Sequence, residues 1–159
     1  MHFDGALSKE GAGAGISVVG LDFEYISFSF KLYFECTNNV VEYEALILGI
    51  KMIKKLEIRK VIIYGDSELV INQVKGVYQV KHPRMRAYRN IVLDLLQDIP
   101  EYQFVVIPRE KNVIADALAV SASLFKIPIH PNKKYEIEGK HKPTFPDNLK
   151  YWQVFEDDK

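Results

Sequence analysis

From Ile26 to Phe34 the chain alternates strictly. Ile26, Phe28, Phe30, Leu32 and Phe34 point one way, and Ser27, Ser29, Lys31 and Tyr33 point the other. A period of two over nine residues specifies a strand with one face on a core. The period then switches. Thr37 or Asn38 can cap a helix running to about Leu56, with Tyr43, Leu46, Ile47, Ile50 and Ile53 on a single stripe. A strand handing over at once to an amphipathic helix places the chain among the α/β folds.

The flanking segments fill in the order. Residues 1–7 read as a strand, short at its amino end because only three residues precede Asp4. After the glycine-rich stretch Gly11 to Gly15, Ile16 and Val18 alternate with Ser17 and Val19 in a second strand. Glycine there suits a turn or a close approach of backbone to a substrate. A phosphate-cradling loop is excluded, because a strand follows and no Gly-Lys-Ser/Thr is present. Val61-Ile62-Ile63-Tyr64 is an uninterrupted apolar run, the pattern of a strand buried on both faces.

Helices are expected from Ser67 to about Lys75, from Pro83 with Met85, Tyr88, Val92, Leu95 and Leu96 on one face, and from Asn112 to about Leu124. A strand over 102–107 precedes the last of them. The order is βββαβααβα: a five-stranded mixed sheet, three strands antiparallel and then parallel ones, flanked by helices.

At 159 residues and 48% hydrophobic, the chain suits one domain with a substantial core. That domain is expected over 1–126. From 127 to 159, Pro128, Pro131, Pro143 and Pro146 interrupt any sustained period, so this part reads as a linker or arm, with Trp152 and Phe155 as possible anchors. The single Cys36 excludes an internal disulfide, and no apolar run reaches membrane-spanning length. The expectation is an intracellular protein, cytoplasmic or nuclear and not secreted.

Four carboxylates fall where such a sheet could gather them. Asp4 lies on the first strand, and Asp66 closes the fourth in Tyr64-Gly65-Asp66-Ser67. Glu42 sits one turn into the first helix, with Ala45 and Gly49 continuing its face so that the helix can approach closely. Asp116 lies among Ala115, Ala117 and Ala119 in the last helix. Glu44 is set about 200° from Glu42 around the helix, and is expected in solvent on the side of Lys51. At an effective dielectric near 20 and roughly 5 Å, each carboxylate pair repels by about 3 kcal/mol. Oxygen-only donors in such a cluster suit two Mg²⁺ ions, with Mn²⁺ as a substitute.

Phe3-Asp4-Gly5, the run from Thr37 to Leu46 (TNNVVEYEAL), Gly65-Asp66-Ser67 and the run from Pro108 to Ala119 (PREKNVIADALA) together resemble the motif set of type 1 ribonuclease H. The variant most similar is the ribonuclease H module of plant gypsy-type retroelement polyproteins. The resemblance covers residues 1–126. It implies an endonuclease that hydrolyses the RNA strand of RNA–DNA hybrids by a two-metal mechanism, with Asp4, Glu42, Asp66 and Asp116 as catalytic and metal-binding residues. It also implies minor-groove contacts by Asn38 and Asn39, where the 2′-hydroxyl marks RNA, and flanking reverse transcriptase and integrase domains in a parent polyprotein. Gly5, Ser67, Arg109 and Asn112 lie in the same motifs and join the expected nucleic-acid contacts.

Net charge is zero overall, yet residues 69–93 carry Lys75, Lys81, Arg84, Arg86 and Arg89 with no acid. This segment is expected to meet phosphates of the DNA strand. Three departures from the family pattern matter. Residues 99–115 lack a His that many relatives carry, which implies slower turnover, with Arg109 taking part of its role. Glu68 stands where relatives often have Gln, and the short spacing after Lys75 leaves no room for a larger basic handle, which implies weak hybrid affinity. The missing His, Glu68 and the short first strand together support the alternative of a retroelement-derived nucleic-acid-binding module with weak or no catalysis.

Overall fold

The computed structural model describes residues 1–22, 24–125 and 137–144. Strands β1 (His2–Ser8), β2 (Gly11–Val19) and β3 (Tyr25–Leu32) form the antiparallel meander. Helix α1 (Asn38–Lys55) follows, then β4 (Lys60–Gly65), α2 (Glu68–Val74), α3 (Pro83–Leu96), β5 (Glu101–Val106) and α4 (Val113–Leu124). Strand β4 runs parallel to both β1 and β5.

Local chemistry explains the boundaries. Thr37, rather than Asn38, caps α1, its hydroxyl accepting the Val40 N–H at 3.3 Å. Ser67 does the same for Val70 at the start of α2. His82 caps α3, and Pro83 opens it, where a missing N–H leaves no hydrogen bond unmade. The expected stripe of Tyr43, Leu46, Ile47, Ile50 and Ile53 is fully buried. Helix α1 packs on β1 and β2 with α3 beside it, and α4 covers β1, β2 and β3. Asn112 and Arg109 belong to the link between β5 and α4, which includes a 3-10 turn over Arg109–Lys111.

Three expectations change. The glycine run is not a turn before β2; it is the first half of β2 itself. A methyl group on Gly15 would collide with the Ala115 carbonyl and the Ala119 N–H, and one on Gly13 with the backbone at Ala119 and Ser123. The glycines therefore serve a helix riding directly on strand backbone. Second, β4 is not buried on both faces. Val61 and Ile63 enter the core, but Ile62 is 40% exposed, because α4 lies over β1 to β3 and leaves that face of β4 uncovered. The same helix covers Lys31, which points opposite to Phe30 and Leu32 on β3 and is buried under α4. Its ammonium is held by the carbonyls of Ser123 at 2.5 Å and Glu10 at 2.8 Å.

Third, the arm contributes a strand. Residues Ile137–Lys140 form β6, parallel to β3, so among the described residues the sheet has six strands, in the order β5-β4-β1-β2-β3-β6. Tyr33 stacks on His141 with ring centres 4.6 Å apart. Pro128, Pro131, Pro146, Trp152 and Phe155 lie outside the described residues.

Candidate active site

Strands β1 and β4 run side by side at the register of His2 and Tyr64. Two residues further along each lie Asp4 and Asp66. Helix α1 delivers Glu42 to the same place, because Gly5 removes the obstacle: a Cβ there would stand 2.8 Å from the backbone carbonyl of Val41. The Gly5 N–H donates to Glu42 Oε1 at 3.1 Å and to Asp4 Oδ1 at 3.0 Å. Asp4, Glu42 and Asp66 each present a carboxylate oxygen, all within 4.8 Å of one another.

Asp116 stands outside this trio but adjoins it from α4. Its carboxylate is 3.8 Å from the Arg109 guanidinium and acts on Asp4 through both a hydrogen bond and its charge. Burial is the main influence on Asp4, pushing its carboxyl up from 3.8 to about 7; Asp66 and Asp116 add to the rise, and a hydrogen bond with Glu42 opposes it. Glu42 is raised well above the usual range, first by burial and then by Asp4, against the Gly5 N–H that favours its ionised form. Glu42 Oε2 is sealed from solvent, and no donor among the described residues reaches it. Like charges in a desolvated cluster resist joint ionisation.

The donors are all oxygens, Glu42 Oε2 has no partner among the described residues, and burial raises the carboxyls of Asp4 and Glu42. The residues therefore fit a hard divalent cation. The Cys36 thiol, by contrast, is pushed up to about 12 by burial and offers no soft ligand.

The remaining expected contacts divide. Asn38 is exposed and Asn39 partly so at the start of α1, near Glu42; Ser67 is half-buried beside Asp66. Lys75 and Lys81 are exposed, and Arg109 is 77% exposed at the mouth of the site. Arg89 is half-buried and bonds Asn90 at 3.3 Å. Three residues do not fit a nucleic-acid contact. Arg84 is buried, its guanidinium over the Tyr88 ring at 5.9 Å, and Arg86 turns back to the Val80 carbonyl at 3.3 Å. Asn112 is only 1% exposed. Its place at the head of a helix reads equally as a surface position, which is why its burial escapes sequence reasoning.

Glu44 also departs from expectation. It is 0% exposed rather than solvated. It accepts from the Tyr88 hydroxyl at 2.7 Å, the Lys140 ammonium at 2.6 Å, and the Thr144 N–H and hydroxyl at 2.7 and 2.9 Å. Glu44 does point away from the acid cluster, but that side of α1 is occupied by α3 and the returning arm. Glu68 is exposed and accepts from the Tyr78 hydroxyl at 2.8 Å.

The profile of the reverse transcriptase-like family matches residues 2–122. Among solved structures, the chain is similar to RNase H1 of the halophilic archaeon Halobacterium salinarum, with 30% identity and a TM-score of 0.72 over 76% of this chain and 93% of that one. It is also similar to LC11-RNase H1, isolated from compost and solved in complex with an RNA/DNA hybrid, with 31% identity and a TM-score of 0.65 over 76% and 92%. Among curated proteins, a bifunctional protein of Mycobacterium tuberculosis is 35% identical over 86 residues, 54% of this chain and 24% of that protein. The chain thus spans about a quarter of that relative's length. With the family profile covering the whole meander-to-α4 body and the solved relatives sharing its fold, the chain belongs to the reverse transcriptase-like family and, within it, to the type 1 ribonucleases H.

Proposed function

We propose that the chain is an endonuclease that hydrolyses the RNA strand of RNA–DNA hybrids. The observation that carries this reading is the desolvated trio Asp4, Glu42 and Asp66, with ligand oxygens within 4.8 Å of one another. Asp4, Glu42, Asp66 and Asp116 would hold two divalent cations, Mg²⁺ by preference and Mn²⁺ as a substitute. Such ions, when bound, supply a water of lowered pKa and neutralise charge on the phosphodiester.

The chain's own residues do the rest. Gly5 turns its N–H to two of the acids and orients them. Asn38, Asn39 and Ser67 border the cluster and take the hybrid, and Arg109 faces outward to meet phosphate. The exposed Lys75 and Lys81 extend that phosphate track. The domain runs over 1–126, with 127–159 as an arm that lends β6 to the sheet. We place the chain in a retroelement polyprotein of the plant gypsy type, between reverse transcriptase and integrase domains. No helix among the described residues is long and apolar enough to cross a membrane.

The test is cleavage of an end-labelled RNA–DNA hybrid in Mg²⁺ or Mn²⁺, with Asp66→Asn as the control. Cleavage by wild type and its loss in the variant are expected. Equal, background-level cleavage by both supports the alternative of a binding module without catalysis.

A further inference from the structure

Asn112 makes contact with three of the four segments that deliver acids: β1, the end of β4 and the start of α4. Its Nδ2 donates to the Phe3 carbonyl at 2.9 Å, immediately before Asp4 in the chain. The same nitrogen donates to Asp66 Oδ2 at 3.3 Å. Its backbone carbonyl accepts the Asp116 N–H at 3.0 Å, in the first turn of α4. The first of these bonds spans 109 residues and ties the β5–α4 link to the central strand.

Both partners of Nδ2 are acceptors, so the amide has one workable orientation. That orientation strands Oδ1, which is buried and meets no donor among the described residues. An aspartate of the same shape would set an oxygen against two others. What the position requires is a neutral double donor.

We propose that Asn112 is a positioning residue of the acid cluster: it fixes the Asp66 carboxylate and locks the start of α4 to β1, so that Asp4, Asp66 and Asp116 are presented together to divalent cations. The inference rests on the metal-site reading given above. Residues that orient metal ligands from behind typically change metal affinity tenfold to a hundredfold when removed. One of the two Nδ2 bonds needs the Asp66 carboxylate, so the effect of removing Asn112 should shrink where Asp66 no longer carries a charge.

The test is Mn²⁺ titration calorimetry of the full chain at 10 °C, on wild type, Asn112→Ala, Asp66→Asn and the double variant, with thermal melts in EDTA. Asn112→Ser serves as a second variant should Asn112→Ala fold poorly. We expect Asn112→Ala to weaken Mn²⁺ binding by about tenfold, and by clearly less in the Asp66→Asn background. The KM for hybrid should hold while the Mn²⁺ needed for half-maximal cleavage rises. A lowered melting temperature with unchanged Mn²⁺ affinity overturns the inference in favour of a packing role. A raised KM with unchanged Mn²⁺ affinity overturns it in favour of direct contact with nucleic acid. Absence of Mn²⁺ binding by wild type overturns the site reading itself, and this inference with it.

Discussion

Lys140 places its ammonium 2.6 Å from Glu44, a carboxylate that solvent does not reach, across a sequence separation of 96 residues. Removing one member of a buried pair leaves the other charge uncompensated, which costs about 3–5 kcal/mol in dry surroundings. Tyr88 and Thr144 still bond Glu44, so Lys140→Ala should cost less, about 2–3 kcal/mol. Urea unfolding measures the loss. Glu44→Gln with Lys140→Met should recover part of it, and hybrid cleavage should be nearly untouched in either case.

Asp4 gives the metal-free protein a pH dependence of definite sign. Its carboxyl is raised from 3.8 to about 7 on folding, mainly by burial. The folded state therefore holds a proton that the unfolded chain has lost, and stability falls as pH rises through that window. In EDTA the protein should melt higher at pH 5 than at pH 8. Thermal scans across that range, repeated on Asp4→Asn, test this; a slope as steep in the variant would assign the effect elsewhere.

Divalent cations should reverse that penalty. Mg²⁺ or Mn²⁺ at a hundredfold excess over the dissociation constant should stabilise the fold by about 2.7 kcal/mol through mass action. Asp66→Asn should be more stable than wild type in EDTA and less responsive to added cation. A variant that melts no higher than wild type in EDTA would count against carboxylate repulsion.

Gly15→Ala should disturb activity more than its size suggests. The added methyl has backbone of α4 in its way at Ala115 and Ala119, one residue from Asp116. The helix must lift, at about 1–3 kcal/mol, and Asp116 lifts with it. Cleavage should fall at least tenfold while the circular dichroism spectrum keeps its shape.

Arg84 and Lys81 should separate structure from binding. Lys81→Ala is expected to weaken hybrid binding uniformly across sequences and to lower the salt dependence by about one charge. Arg84→Ala, buried over Tyr88, should lower stability and leave the salt slope unchanged. Fluorescence anisotropy at several salt concentrations distinguishes them.

The alternation of β3 and the stripe of α1 were legible because period alone identifies an amphipathic element, and Tyr43 through Ile53 are buried as that stripe requires. The meeting of Asp4, Glu42 and Asp66 was legible through motif and strand adjacency together. What escaped depends on contacts distant in sequence. Glu44 looks solvated until α3 and the arm are placed over it, and no local pattern announces a partner 96 residues away. Ile62 reads as doubly buried because its run is apolar, whereas its exposure depends on how far α4 extends across the sheet. The glycines of β2 read as a turn because the helix that needs them lies a hundred residues further on.

Strand β6 alters what the sheet offers to other molecules. Without it, β3 would end the sheet with a row of unpaired N–H and C=O groups from Ser29 to Leu32, beside the apolar Phe30 and Leu32. Such a border recruits strands from other chains and seeds aggregation. The returning arm occupies that border in parallel register and is pinned there by Lys140 and Thr144. A fragment cut at residue 126 would keep every acid of the cluster, yet present an open β3 to its neighbours. Its failure in solution would be one of self-association, with the acid cluster left intact.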